Sequence, residues 1–331
     1  MNLLVSEVPV WFVLGAAFFF GAAWGSFFNV AIYRWPRDLS VVTPASACPS
    51  CHTPIPARYN IPILGYFILR GKTACCGAPL SLRYPVVELL TALLAVAVAR
   101  HFVLGAGAEI TLLQASLLGI TYFFFVGGLL VATFVDLEFM EIPDEVSLPG
   151  AALGLATAVF RDPPGVEAAA LGAGASYLVI QVVFVWSYEH LLGRRGMGEG
   201  DSKLLMMIGA FVGWQGALFA VFAGAAQGLL AFIISKVTGL EIGGGAHEEE
   251  SDQDEAGLPP TAAATSGMAE PAADAHEADA LLDDEPAPQY WGHFKVPFGP
   301  FLALGALEYL FFGEQLTHAW LALVERLPLH G

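Results

Sequence analysis

The chain alternates long apolar stretches with short polar ones, and this pattern predicts helices that cross a membrane. Apolar runs at 9–32, 86–104, 111–135, 145–160, 166–191, 202–213, 215–236 and 298–325 read as eight spans. About 20 apolar residues suffice for one crossing. A bilayer offers no water to free backbone groups, and no barrel-like alternation is present, so the spans are expected to be helices. The sixth run is short, and only Gly213, Trp214 and Gln215 separate it from the seventh, which leaves seven spans as the alternative count. The first run has no Lys or Arg before Arg34 and only Glu7 as an early charge. It lacks the basic flank of a cleavable leader and reads as a span.

The polar stretches complete the organisation. Expected are a first membrane helix at 1–33, a cytoplasmic cysteine loop at 34–85 and a membrane core at 86–240. An acidic cytoplasmic linker at 241–295 and a last helix with a short tail at 296–331 follow. The fold class is an all-α polytopic membrane protein with a small zinc-ribbon-like loop.

Composition agrees. Of 331 residues, 56% are hydrophobic and 14% charged, against about 45–50% and 25% in an ordinary soluble domain. The net charge of −17 is local: residues 241–285 hold 14 acidic side chains and no Lys or Arg. The remainder carries 17 acidic against 14 basic residues, which gives no reason to expect nucleic acid as a partner. The acidic stretch has too little apolar surface to offset the entropy of ordering, and is expected to be disordered.

Loop charges set the direction of insertion, since Lys and Arg collect on the cytoplasmic side. With the N-terminus outside, eleven basic residues lie inside, beginning with Arg34 and Arg37, and only Arg100, Arg161 and Arg326 lie outside. The same direction places two aspartates at the cytoplasmic boundary: Asp136, closing the third span, and Asp201, opening the sixth. Carboxylates beside hydrocarbon are costly and usually face a cavity or a partner. Singly, each is more often a cap or a solvated loop charge. As a pair they form an acid/base couple suited to hydrolysing a peptide bond, because two neighbouring carboxylates do not both ionise easily.

The neighbours of the pair have expected roles of their own. Gly198 and Gly200 are expected to let a substrate backbone approach Asp201 and to adopt unusual dihedrals. Lys203 reads as a positive-inside anchor, with lipid phosphate or Asp201 as alternative partners. Glu138, Glu141 and Glu145 either attract a basic substrate segment or form a solvated run.

All four cysteines lie in the first polar loop: Cys48 and Cys51 in CPSC, Cys75 and Cys76 in TACCGAP. A reducing compartment disfavours disulfides, and the spacing points to four thiolates around a structural Zn2+. The loop is rich in Pro and Gly, so a metal would supply folding energy. Cys75 is the least regular ligand, and His52 is the alternative.

Five segments, in order, resemble the type IV prepilin peptidases, also called leader peptidase/N-methyltransferases. They are GSFFNVAIYRWP, the cysteine loop running into RYPVVELLTA, VDLEFMEIPDEVSLPG, GMGEGDSKLLMMIGAFVGW with its Gly-x-Gly-Asp signature, and PFGPFLALGA. The resemblance covers nearly all of the chain outside the acidic stretch. It implies a multi-pass enzyme of the bacterial inner membrane that cuts prepilins or type II secretion pseudopilins on the cytoplasmic side, after a glycine. It further implies methylation of the new N-terminus from S-adenosylmethionine. Catalysis falls to Asp136 and Asp201, with Asp144 structural or auxiliary. The chain departs from the family at Thr73, Ala74, Cys75 and Cys76, where many members have a second Cys-x-x-Cys. Competing expectations are a presenilin-like intramembrane protease, a proton-coupled transporter and an inactive pilin-binding scaffold.

Overall fold

The computed structural model describes residues 3–48, 50–51, 53–107, 109–193, 198–239 and 297–326. The expected acidic linker, His52, Arg194 and Arg195 lie outside the described residues. Seven long helices carry the fold: α1 Val10–Arg34, α2 Arg83–Val98, α3 Leu112–Phe139, α4 Asp144–Thr157, α5 Gly165–Val179, α6 Glu199–Thr238 and α7 Gly299–Arg326. Among the described residues no strand forms, only isolated bridges.

Five helical stretches are long and apolar enough to cross a membrane: Val10–Arg37, Arg83–Val103, Leu112–Phe139, Gly165–Leu191 and Glu199–Thr238. The expectation of eight is therefore met only in part. At about 1.5 Å per residue, the 14 residues of α4 fall well short of the bilayer thickness. The expected sixth and seventh spans run together as the 40-residue α6. α7 carries Glu308 and Glu314 among its apolar residues.

The predicted break at Gly213 nevertheless exists inside α6. Its dihedrals (φ 73°, ψ 179°) lie where only glycine is at ease. A break leaves upstream carbonyls without helical donors. The guanidinium of Arg161 fills that role, donating to the carbonyls of Ala210 and Phe211 at 2.9 Å each and to that of Gly154. It also lies 4.7 Å over the Phe211 ring. Arg161, counted among the basic residues outside, is only 2% exposed because these carbonyls hold it.

Helices in lipid gain most from close backbone approach, which small residues permit. Gly172 of α5 and Gly209 of α6 face each other's carbonyls with no room for a side chain. Gly25 of α1 likewise admits the Glu88 backbone of α2, where a Cβ would stand 2.7 Å from the Glu88 Cα. The interior between these pairs is filled by Phe125 stacked on Phe211 at 4.2 Å, with Leu129, Leu204, Ile208 and Leu302 around them. Gln227 of α6 donates to Glu308 of α7 at 3.0 Å, a polar tie between apolar faces.

Candidate active site

α3 stops where Met140 turns left-handed (φ 58°), and Pro143 then stands at the N-cap of α4. This corner leaves Asp136 on the last turn of α3, 6% exposed. α6 begins at Glu199, so Asp201 lies in its first turn, where free N–H groups and the helix dipole favour negative charge. The two carboxylates, far apart in the chain, line one cavity of about 580 Å³. Trp35 and Pro36, just after α1, form another part of its wall.

A third element reaches the pair. The Gly299 N–H at the start of α7 donates to Asp136 Oδ2 at 2.8 Å. A Cβ at Gly299 would lie 2.7 Å from that oxygen and 3.2 Å from Ile142 Cδ1. The contact requires glycine. PFGPFLALGA marks the segment in the sequence, but the partner lies 163 residues away and nothing local announces it.

The supporting residues sort differently from expectation. Gly198 has ordinary extended dihedrals (φ −72°, ψ 147°). A Cβ there would meet Asp201 Oδ2 only at 3.6 Å, so neither strain nor crowding demands the glycine. Gly200 is crowded: its Cβ would stand 2.9 Å from Ile142 Cβ, because the start of α6 packs against the α3–α4 corner. Lys203 pairs with Asp144 rather than with Asp201. Its Nζ donates to both Asp144 oxygens at 2.7 Å, linking the first turns of α6 and α4. Glu138 is taken by Arg83 of α2. Glu141, Asp144, Glu145 and Glu199 remain around the cavity with Asp38, so seven acidic side chains and one basic line it.

The cysteines also converge. Cys48, Cys51, Cys75 and Cys76 place their sulfurs within 4.8 Å of one another, the one such cluster among the described residues. Two turns of the same design hold them. Ala47 bridges Pro54 around the first pair, and Lys72 bridges Pro79 around the second. Cys48 N–H donates to Thr53 O at 2.9 Å, and Thr73 N–H donates to Ala78 O at 2.8 Å in the matching place. In this register Cys76 corresponds to Cys51, and Thr73 occupies the position of Cys48. Cys75 supplies the fourth sulfur from one residue before Cys76, 3.1 Å from the Cys51 sulfur. Thr73 Oγ1 stays close, 3.2 Å from the Cys76 sulfur.

The thiols of this cluster are electrically unequal. A hydrogen bond from the Cys51 backbone draws the Cys48 thiol down to about 6. The Thr53 side chain lowers Cys51, while Cys75, hydrogen-bonded to Cys51 and crowded by the other sulfurs, is pushed up to about 12. Such a set holds its charge best when a cation replaces the shared protons.

Comparison with known proteins agrees with this arrangement. Residues 19–102 match the bacterial peptidase A24 N-terminal domain, and residues 122–234 match the type IV leader peptidase family. The prepilin leader peptidase/N-methyltransferase of Myxococcus xanthus is 34% identical over 335 aligned positions that cover 94% of this chain and 95% of that relative. The protein of the same name from Stutzerimonas stutzeri is 31% identical over 336 residues, 95% of each chain. That of Aeromonas hydrophila is 37% identical over 229 residues, 62% of this chain and 75% of the relative. No solved structure matches this chain. Near-full-length identity, the two matched domains and the converging aspartates and cysteines have one meaning: the chain belongs to the prepilin leader peptidase/N-methyltransferase family.

Proposed function

We propose that this protein is an aspartic endopeptidase of the bacterial inner membrane that acts at the cytoplasmic face. Its substrates are type IV prepilins or type II secretion pseudopilins, whose basic leader it removes before N-methylating the new terminus with S-adenosylmethionine. The observation that carries the reading is the meeting of Asp136 and Asp201, from two helices, in one acidic cavity. The excess of basic loop residues on the matching side supports the cytoplasmic placement.

In the proposed reaction one carboxylate takes a proton from water, and the water oxygen attacks the scissile carbonyl carbon. The protonated carboxyl donates to the carbonyl oxygen. As the tetrahedral carbon collapses, the C–N bond breaks and the leaving amine collects a proton from the pair. Gly299 N–H holds one oxygen of Asp136 in place. The Asp144–Lys203 pair holds the two helix starts together without drawing on either catalytic carboxylate. The acidic wall suits a basic leader, while the leader's apolar continuation stays in the bilayer.

The four cysteines are proposed to hold Zn2+. A tetrahedral site with Zn–S near 2.3 Å places sulfurs about 3.8 Å apart; the Cys48–Cys76 and Cys75–Cys76 pairs stand at 3.7 and 3.9 Å, and Cys51–Cys75 is closer, at 3.1 Å. The ion would fasten the two matching turns of the loop together. S-adenosylmethionine supplies an electrophilic methyl group when bound.

The test is cleavage of a purified prepilin by the wild type and by Asp136→Ala and Asp201→Ala. Each substitution is expected to lower the rate by about 10³-fold or more, as for the removal of a group acting in a catalytic unit. Normal cleavage by either variant removes that residue from the role. Preference for prepilins over other membrane helices separates this reading from a presenilin-like protease.

A further inference from the structure

A second cavity, of about 660 Å³, lies between the cysteine loop and the adjoining ends of α1 and α2. Its size is that of an ordinary small-molecule site. Tyr33, Tyr59, Tyr66 and Tyr84 line it with aliphatic side chains, and Cys48 and Cys75 lie along one wall. Neither Asp136 nor Asp201 takes part.

Two buried polar side chains on its helical wall have no role in peptide cleavage. Glu88 is 9% exposed and accepts from the Ile63 N–H at 2.6 Å and from the Ser26 hydroxyl. No basic side chain pairs with it among the described residues. Asn29 is 3% exposed, and its Nδ2 donates to the carbonyls of Tyr84 at 3.0 Å and Gly25 at 3.3 Å. Those carbonyls fix the amide's orientation, so the other end is the acceptor Oδ1, which has no donor. A buried acceptor without a donor is rare in folded proteins and calls for a partner. A buried carboxylate without a basic partner favours a cation, and tyrosine faces such as those lining this cavity attract cationic ligands of low hydration.

The position matters as much as the chemistry. Residues 33–39 separate the two cavities: Trp35, Pro36 and Asp38 line the aspartate cavity, and Tyr33, Arg34 and Leu39 line the second. The two cavities therefore share one short segment as a common border.

We propose that this second cavity binds the sulfonium methyl donor, with Glu88 and Asn29 as its buried polar anchors. The proposal rests on the methyl-transfer half of the function above. Glu88 faces the cationic part of the donor, Asn29 Oδ1 accepts from one of its N–H or O–H groups, and the tyrosines cover its ring. Arg58, exposed among the lining residues, is the cation available to its carboxylate.

The test is equilibrium binding of S-adenosylmethionine to the full chain in lipid nanodiscs, with S-adenosylhomocysteine, which lacks the sulfonium charge, as the second probe. Glu88→Gln keeps an acceptor for Ile63 and removes the charge. It is expected to weaken S-adenosylmethionine by about tenfold or more and S-adenosylhomocysteine by less, as charge-assisted contacts are the stronger ones. Asn29→Ala and Val30→Trp, the latter filling the cavity from α1, are expected to weaken both probes. Variants are compared only where their melting matches the wild type, so a misfolded Glu88→Gln leaves the other two to decide. Unchanged donor binding in the folded variants overturns the site, even if the wild type methylates a prepilin. A wild type that neither binds the donor nor methylates overturns the methyl-transfer reading and the site with it.

Discussion

The two cavities on either side of residues 33–39 are built from opposite materials. The aspartate cavity is made of helix ends and their charges, seven acidic side chains and Lys203. The second is lined by tyrosines, aliphatic side chains and thiols, with Arg34, Arg58 and Asn29 among its polar residues and one acidic side chain, Glu88. Hydrolysis needs water at the reacting carbonyl and a surface that attracts a basic leader. Methyl transfer from a sulfonium needs the opposite, a walled site that keeps water from competing with the amine. Under the proposed assignments, the contrast gives a reason for the two chemistries to occupy separate cavities.

The sharpest way to break this division is at Gly299, which lines neither cavity but contacts Asp136 of the first. Gly299→Ala puts a methyl group 2.7 Å from Asp136 Oδ2, so the carboxylate must move or lose its N–H donor. Displacement of a catalytic group by about 1 Å costs on the order of 10²-fold in rate. Prepilin cleavage is expected to fall by about that factor while donor binding holds its wild-type affinity. A parallel fall in both would mean that the cavities are one functional unit.

The second cavity can be disturbed alone through its cysteine wall. Cys75→Ala removes one of four sulfurs and is expected to lower zinc retention by at least about tenfold, with a lower melting temperature for the loop. Adding Thr73→Cys to that variant creates a second Cys-x-x-Cys in the register that the two matching turns define. Zinc retention should then return, measured by elemental analysis after dialysis against a chelator. Failure of the double variant to recover zinc would show that the two turns are not equivalent. Donor binding is expected to follow zinc content more closely than cleavage does, because Cys48 and Cys75 line only the second cavity.

How much of this was legible from the sequence depends on how far apart the interacting residues lie. Asp136 and Asp201 stood out because each ends an apolar run, an energetic oddity visible within a few residues. The cysteine quartet was legible as a set, and Gly213 as a break. Gly299 was not, since its partner is 163 residues away. Arg161 was counted among loop charges because nothing beside it shows the freed carbonyls of Ala210 and Phe211 that bury it. Cys75 looked irregular in one dimension, and only the matching bridges at Ala47–Pro54 and Lys72–Pro79 show how Thr73 displaced the ligand by two positions. Gly198 and Gly200 look alike in the sequence, but only Gly200 is crowded, because its neighbour Ile142 comes from another element.

The smallest effect is expected at Lys203, and it tests how sharply the first cavity separates catalytic from supporting charge. Lys203 holds both oxygens of Asp144 at 2.7 Å, but the side chains remain 24% and 51% exposed. Exposed pairs of this kind contribute about 0–1 kcal/mol, less when salt screens them. Lys203→Ala is therefore expected to lower cleavage by no more than about fivefold. The difference from wild type should shrink further as salt rises toward about 0.5 M, where exposed charges are screened over a few ångströms. Were Lys203 instead the partner of Asp201, its loss would strip a counter-charge from the catalytic pair. The defect would then be larger, persist at high salt and change the pH dependence of cleavage. A small, salt-sensitive defect with an unchanged pH profile leaves Asp144 and Lys203 as a brace between two helix starts.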